Sequence, residues 1–211
     1  MYPNTIRALG LAAALSAFGA GLVSAQEQQK FSVAGQGGVA IPGQQLHQFV
    51  DPGFGGNLEA DYHLAPRVLL DAFGTFSRLN GKTLTTGTLA PSMDAATYGL
   101  GVKADLLGNE THRWLLTASA GVGASSMRTD QFASIVAGTT QFKHTYLGTM
   151  GGLQMGYHFG PRVGAFVGTD LLYTFVNKDD TAELTEFNGS TVQPFGRAWI
   201  APITVGLQAA L

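Results

Sequence analysis

Glu59, Asp61, Asp71, Lys103, Asp105 and Asp170 draw attention first, because each is an ionisable side chain set in a run that is otherwise apolar, small or uncharged. Several carboxylates grouped with one ammonium can do two kinds of work. Paired and hydrogen-bonded, they brace an interior as a polar network. Lining a narrow aqueous path, they favour cations over anions. Five acids and one secure cation cannot all be dry and ionised, since an unpaired buried charge is costly. Water must enter, some carboxyls must carry protons, or Arg197 must turn inward, and the residues alone leave these open.

Other chemistry finds less support. A Ser/His/acid site would need a histidine beside a serine, yet His63 and His158 sit next to short turns with no serine placed on an adjacent strand, and His47 and His144 have no partner spacing. Gly35-Gln36-Gly37-Gly38-Val39-Ala40 superficially matches a dinucleotide fingerprint, but no helix follows to receive a pyrophosphate. Asp179, Asp180, Glu183 and Glu186 lack the spacing and glycine of a calcium loop. Asn109-Glu110-Thr111 and Asn188-Gly189-Ser190 match a glycosylation acceptor pattern and nothing more. The absence of cysteine removes disulfides, cysteine zinc sites and thiol nucleophiles together. The expectation is a protein that is not an enzyme, with no catalytic site, no cofactor and no metal.

The elements that hold these side chains show themselves by period two. Ile203, Val205, Leu207, Ala209 and Leu211 alternate with Thr204, Gly206, Gln208 and Ala210, which means a strand whose faces meet different surroundings. The same parity holds for Phe54 to Leu64, Ala96 to Leu106, Trp114 to Val122 and Val163 to Tyr173. Weaker stretches at about 31–41, 67–78 and 144–159 bring the expected strands to eight. The third is ambiguous, because Leu69 and Phe73 share a face with Asp71. Pro202 lacks a ladder donor and predicts a bulge that would reverse the parity upstream, leaving the facing of Arg197 undecided.

Connections fall into two interleaved classes. Ala65-Pro66, the stretch around Gly108-Asn109, and Gly160-Pro161 are tight, whereas 42–53, 79–93, 128–143 and 177–194 are long and polar or glycine-rich. Tyr62-His63-Leu64-Ala65-Pro66-Arg67-Val68 echoes Tyr157-His158-Phe159-Gly160-Pro161-Arg162-Val163, and Arg113-Trp114 closes the remaining turn. Aromatics with a cation just beyond them suit a membrane–water interface, so Tyr62, Trp114, Tyr157 and Phe159 are read as an interfacial belt.

Composition decides which way the apolar face points. Charged residues are only 12% of 211, and the polar faces carry Gly, Ser, Thr and Gln where a sheet facing open water should carry Lys and Glu. The alternation therefore predicts an apolar wall in lipid around an enclosed polar lumen, closed so that no backbone group is left unpaired. Inward glycines at 99, 101, 121, 123, 148, 152, 164 and 168 promise a roomier lumen than eight strands usually enclose, unless Phe166, Leu172 and Met150 plug it. A formal net charge of −2 excludes the basic face that nucleic acid requires. Ahead of the strands, Arg7, an apolar run from Ala8 to Val23 and Val23-Ser24-Ala25 read as a secretory signal cleaved after Ala25. The expected organisation is a signal peptide over 1–25 and one barrel domain over 26–211.

In this pattern the chain resembles the small outer-membrane barrels of Gram-negative bacteria: the OmpA transmembrane domain, OmpX, OmpW and the opacity-type proteins. The resemblance covers the whole mature chain and rests on pattern rather than a unique motif. It departs in ending on Leu211 where such barrels usually end on Phe. It implies an all-β, eight-stranded antiparallel up-and-down transmembrane barrel, monomeric, in outer-membrane lipid, with short turns facing the periplasm. The function expected is structural or surface-interacting, with an extracellular ligand or surface met through the four long loops. A small passive channel for ions or solutes is the alternative, and an outer-leaflet lipid-modifying enzyme a more distant one.

Overall fold

The computed structural model describes residues 31–83, 90–108, 113–134, 138–160, 162–185 and 195–211, and leaves the side chains of 132–140 and 182–185 undescribed. The expected signal segment, Glu183, Glu186, Pro161 and both glycosylation-like triplets fall wholly or partly outside this description. In chain order the elements are β1 (Phe31–Pro42), β2 (Val50–Ala65), β3 (Val68–Gly81), β4 (Met93–Leu107), β5 (Trp114–Thr129), β6 (Phe132–Ser134), β7 (Gly138–Thr140), β8 (Lys143–His158), β9 (Val163–Thr174), α1 (Lys178–Thr185) and β10 (Ala198–Ala210).

Eight of the strands close into a ring in the order β1-β10-β9-β8-β5-β4-β3-β2, with β6 and β7 forming a separate hairpin. Every ring pairing is antiparallel. The seam joins the first and last strands: the Leu211 N–H donates to the Phe31 carbonyl at 2.9 Å. No edge is left, which is the condition for a sheet to sit in hydrocarbon.

The facing follows the alternation. On β4, Tyr98 and Leu100 are 59% and 60% exposed, and on β10 Val205 and Leu207 are 67% and 63% exposed. Between them in sequence, Thr97 and Thr204 are buried. An apolar outside around a polar inside is the reverse of a soluble barrel and the arrangement of a transmembrane one. No helix among the described residues is long and apolar enough to cross a membrane.

Four expectations need correction or completion. Strands run well past their sequence limits: β2 starts at Val50 and β5 continues to Thr129, while β6, β7 and α1 occupy parts of the long connections. Pro202 makes no bulge. Its partner across the seam is Ala40, and the β10–β9 pairing keeps one register on both sides of it, from Ile200↔Leu172 to Ile203↔Thr169. The proline points inward, buried, so the missing N–H interrupts the ladder without shifting it. Arg197 precedes the strand and is exposed, so it does not supply the lumen with a cation. On β3, Leu69, Asp71 and Phe73 all face inward, at 5%, 0% and 4% exposure, which settles the ambiguous strand.

Candidate functional site

The lumen gathers the ionisable residues because of where the registers place them. Asp61 on β2 lies directly opposite Asp71 on β3. Two like charges so placed repel each other. Lys103 on β4 is diagonal to Asp71, whose own partner is Gly101. Its ammonium reaches Glu59 at 2.5 Å, Asp61 at 2.9 Å and Asp71 at 3.7 Å. All four side chains are at most 4% exposed. One cation thus holds three carboxylates together, and their mutual repulsion is relieved only through it.

Glu59 is the most fully satisfied of the three. Its second oxygen accepts hydrogen bonds from Gln36 at 3.0 Å, Asn57 at 2.6 Å and Gln154 at 3.0 Å, the last reaching across the barrel from β8. Gln36 in turn accepts from the Thr204 hydroxyl on β10. Nearer the short turns, Gln208 donates to Ser32 at 3.1 Å and Ser32 to Asp61 at 3.4 Å. Side chains from β1, β2, β3, β4, β8 and β10 are therefore joined through one carboxylate-centred network. The remaining two acids lie outside its ion pairs, Asp170 touching the network, among the described residues, only through Asn57. Asp105 is partly buried and accepts from Thr117 at 3.0 Å, and Asp170 is 1% exposed with no ion pair among the described residues.

Toward the long-loop end the lumen changes character. A hydroxyl layer comes first, Thr97 to Ser125 at 3.0 Å and Ser125 to Thr174 at 2.8 Å. Phe73, Met150 and Leu172 belong to an apolar cluster that continues through Met93, Met127 and Leu79 to Leu46, Phe49, Phe142 and Phe195 of the loops. Phe49 and Phe195 meet with ring centroids 6.0 Å apart. Phe195 is held by Thr181 of α1, whose hydroxyl accepts its N–H at 2.9 Å and lies 3.0 Å from its carbonyl. Asp180 anchors the same helix to β8, accepting from Tyr146 at 2.8 Å with His144 at 3.4 Å. Arg78 ties β3 to Asp94 and Asp130 at 2.9 Å each.

The inward glycines do not leave open space, contrary to the sequence expectation. A Cβ on Gly121 would lie 2.6 Å from Phe73 Cε1, and one on Gly206 would lie 2.6 Å from Phe166 Cζ. Bare backbone on one strand seats a large side chain from another, so the volume is spent on packing.

Aromatic residues gather at both ends of the wall: Phe54 with Phe76 and Tyr173 with Phe175 toward the long loops, and a second group at the short-turn end. Phe31 and Tyr62 have centroids 4.8 Å apart, Trp114 and Tyr157 4.9 Å, and Tyr157 and Phe159 5.5 Å. Arg113 donates to the Tyr157 hydroxyl at 3.2 Å. Sequence reasoning passed over the neutral members of the lumen network, Ser32, Gln36, Asn57, Gln154 and Thr204. Inward parity was the signal available for them. Among the described residues no three His, Cys, Asp or Glu side chains are gathered as a metal site.

No protein-family model matches the sequence, and no curated protein matches it. Solved structures do. A major outer-membrane protein from Thermus thermophilus superposes with a TM-score of 0.59 at 16% identity, over 86% of this chain and 98% of that one. Neisserial surface protein A gives 0.58 at 14% identity, over 86% and 97%. Ail, the attachment invasion locus protein of Yersinia pestis, gives 0.51 at 10% identity, over 87% and 100%. Identities this low speak for architecture, and the architecture is shared nearly end to end. This chain has the fold of the small eight-stranded outer-membrane β-barrels.

Proposed function

We propose that this protein resides in the outer membrane as a non-conducting barrel that presents its four long loops outward in a structural or surface-interaction role. One observation carries the reading: the lumen is filled twice over. The Lys103 network spans its width, and the apolar cluster from Phe73 to Phe195 stops its loop end. A selectivity path needs its charged groups in contact with water. Here Glu59, Asp61, Asp71 and Lys103 have almost none, and they bond one another instead. The described parts of the loops are also built as a platform: α1 is fastened to β8 through Asp180 and to Phe195 through Thr181. Loops held on a rigid scaffold are where such folds carry function. In Yersinia pestis the same architecture serves a protein named for attachment and invasion.

The test is single-channel conductance of residues 26–211 refolded into a planar bilayer, with folding checked by heat-modifiable gel mobility. A folded and silent barrel is expected. Reproducible cation-preferring steps would replace this reading with the channel. Adhesion to a surface is then measured with loops 79–93 and 128–143 shortened, and a surface role requires loss of binding with the barrel intact.

A further inference from the structure

One stretch of the lipid-facing wall is recessed. On β9 the outward face runs Val163, Ala165, Val167, and Ala165 is flanked in register by Tyr157 of β8 and Leu207 of β10. Beyond Tyr157, Trp114 of β5 continues the same row. A small residue between large ones leaves a groove of about 530 Å³, with Trp114, Met155 and Tyr157 on one side and Val205 and Leu207 on the other. That is within the roughly 300–1,000 Å³ of small-molecule sites. Its surface is hydrocarbon apart from the ring heteroatoms of Tyr157 and Trp114. The rim over the same strands is cationic. Arg113 directly precedes Trp114, Arg162 directly precedes Val163, and both are exposed. Arg113 is fastened beside the groove: its carbonyl accepts the His158 N–H at 2.8 Å, and its guanidinium donates to the Tyr157 hydroxyl at 3.2 Å. Arg162 stands at the β9–β10 side, its carbonyl accepting the Ala210 N–H at 2.8 Å. The described residues at these strand ends include no acidic side chain, and Leu211 lies across β10, bonded to Phe31.

We propose that this groove holds an acyl chain of one anionic phospholipid from the leaflet at the short-turn end, its phosphate received by Arg113, Arg162 and the Tyr157 hydroxyl. Two adjoining surfaces select the occupant. An uncharged acyl chain would match the groove and leave both guanidiniums without an anion. Free phosphate would match the arginines and leave the apolar groove uncovered. A phospholipid answers both, because its phosphate lies at the depth that interfacial aromatics mark. Arg113 uses one N–H on Tyr157 and keeps the rest of its fork for charge-assisted bonds to phosphate. The Tyr157 hydroxyl accepts from Arg113 and still has its own proton to donate. Ala165 is the device that makes the site, because a larger side chain between Tyr157 and Leu207 would fill the groove. Such a site presupposes the membrane-embedded barrel proposed above and adds a lipid that the barrel selects from its bilayer.

Trp114 lines the groove and Trp199 stands at the long-loop end, bonded to Gly43, so the two tryptophans serve as reporter and control. Barrels carrying Trp199→Phe or Trp114→Phe are refolded into vesicles of phosphatidylcholine and phosphatidylglycerol, with one lipid or the other brominated on its chains. Quenching at Trp114 should show phosphatidylglycerol preferred by about tenfold. Arg113→Gln combined with Arg162→Gln should abolish that preference and leave quenching at Trp199 unchanged. Equal affinities at Trp114 would overturn the proposal. So would a preference that survives in the arginine variant, or one that falls equally at Trp199, which would be the pull of overall charge. Quenching at Trp199 alone, by either lipid, would put a second copy of the chain over the groove and overturn it too. Quenching at neither tryptophan would remove the membrane barrel itself. Native mass spectrometry of the unaltered barrel, released from nanodiscs of the same two lipids, decides the matter even if the arginine variant does not refold. One retained phosphatidylglycerol per barrel is expected, and retention in proportion to the bilayer is a refutation.

Discussion

Removing the ammonium of Lys103 is the sharpest perturbation the fold offers. Lys103→Met keeps the chain length and apolar stem while deleting the charge. It strands Glu59 and Asp61, whose ion pairs at 2.5 and 2.9 Å are almost wholly buried, and leaves Asp61 facing Asp71 with nothing between them. Breaking a buried pair by deleting one partner costs about 3–5 kcal/mol. For a chain of this size that is a fall of roughly 10 °C or more in melting temperature. The assay is urea unfolding from lipid vesicles followed by tryptophan emission. Trp114 and Trp199, the chain's two tryptophans, both stand on the lipid-facing wall, so their emission reports withdrawal from hydrocarbon. Glu59→Gln should lose less, because the oxygen that accepts from Gln36, Asn57 and Gln154 is retained. In the double variant the two losses should fall short of additive by about 2 kcal/mol or more. A Lys103→Met barrel within about 0.5 kcal/mol of wild type would refute the dry network. The lumen would then be wet enough to solvate its carboxylates, and a conducting path would become the better reading.

Three further outcomes follow from single positions. Asp71→Asn should be neutral or stabilising in the same urea assay, since both carboxylate oxygens lack a hydrogen-bond partner, Lys103 is 3.7 Å away and Asp61 lies opposite; a loss above about 1.5 kcal/mol would contradict it. Gly108→Ala should cost about 1–3 kcal/mol, measured by melting, because φ is +93° and the new Cβ would lie 2.3 Å from the Trp114 carbonyl oxygen, backbone that cannot yield. Phe142→Ala should cost about 3–5 kcal/mol by urea unfolding, because its 1% exposed ring helps close the loop end; limited proteolysis should then cut the loop connections before the strands.

What the sequence made legible was everything governed by parity. A strand that separates lipid from lumen must alternate, so Glu59, Asp61, Lys103 and Asp170 could be assigned inward before any coordinates. Register was not legible. Which carboxylates share Lys103 depends on pairing Asp61 with Asp71 and Leu69 with Lys103, and a slip of one residue would have redirected every one of these side chains. Asp105 shows the limit: it obeys the same parity but sits a level nearer the short turns, with Thr117. Pro202 misled for a related reason. Its lost donor argues for a bulge only if the neighbouring strand needs that bond for alignment, and here the pairs on either side hold the register without it.

The glycines bear most directly on function. By composition they read as empty volume, and empty volume in a charged lumen reads as a channel. In the fold each of the decisive ones is a socket: Gly121 for Phe73, Gly206 for Phe166, and Gly152 for the oxygens of Asp170 and Ser119. Small residues and large ones were both visible in the sequence, but sockets and plugs lie on different strands, so only closure of the ring tells which glycine receives which side chain. The loop-end seal shares this non-local origin. Leu46, Phe49, Phe142 and Phe195 come from three connections that look merely irregular in sequence, and they become a single apolar cluster because antiparallel closure brings those connections to one end of the barrel. A ring whose glycines at 121 and 206 seat Phe73 and Phe166, and whose loop residues pack on the same cluster as Phe73, has less room than its glycine content suggests. On the function proposed above, the search for what this protein meets starts at the outer faces of the loops.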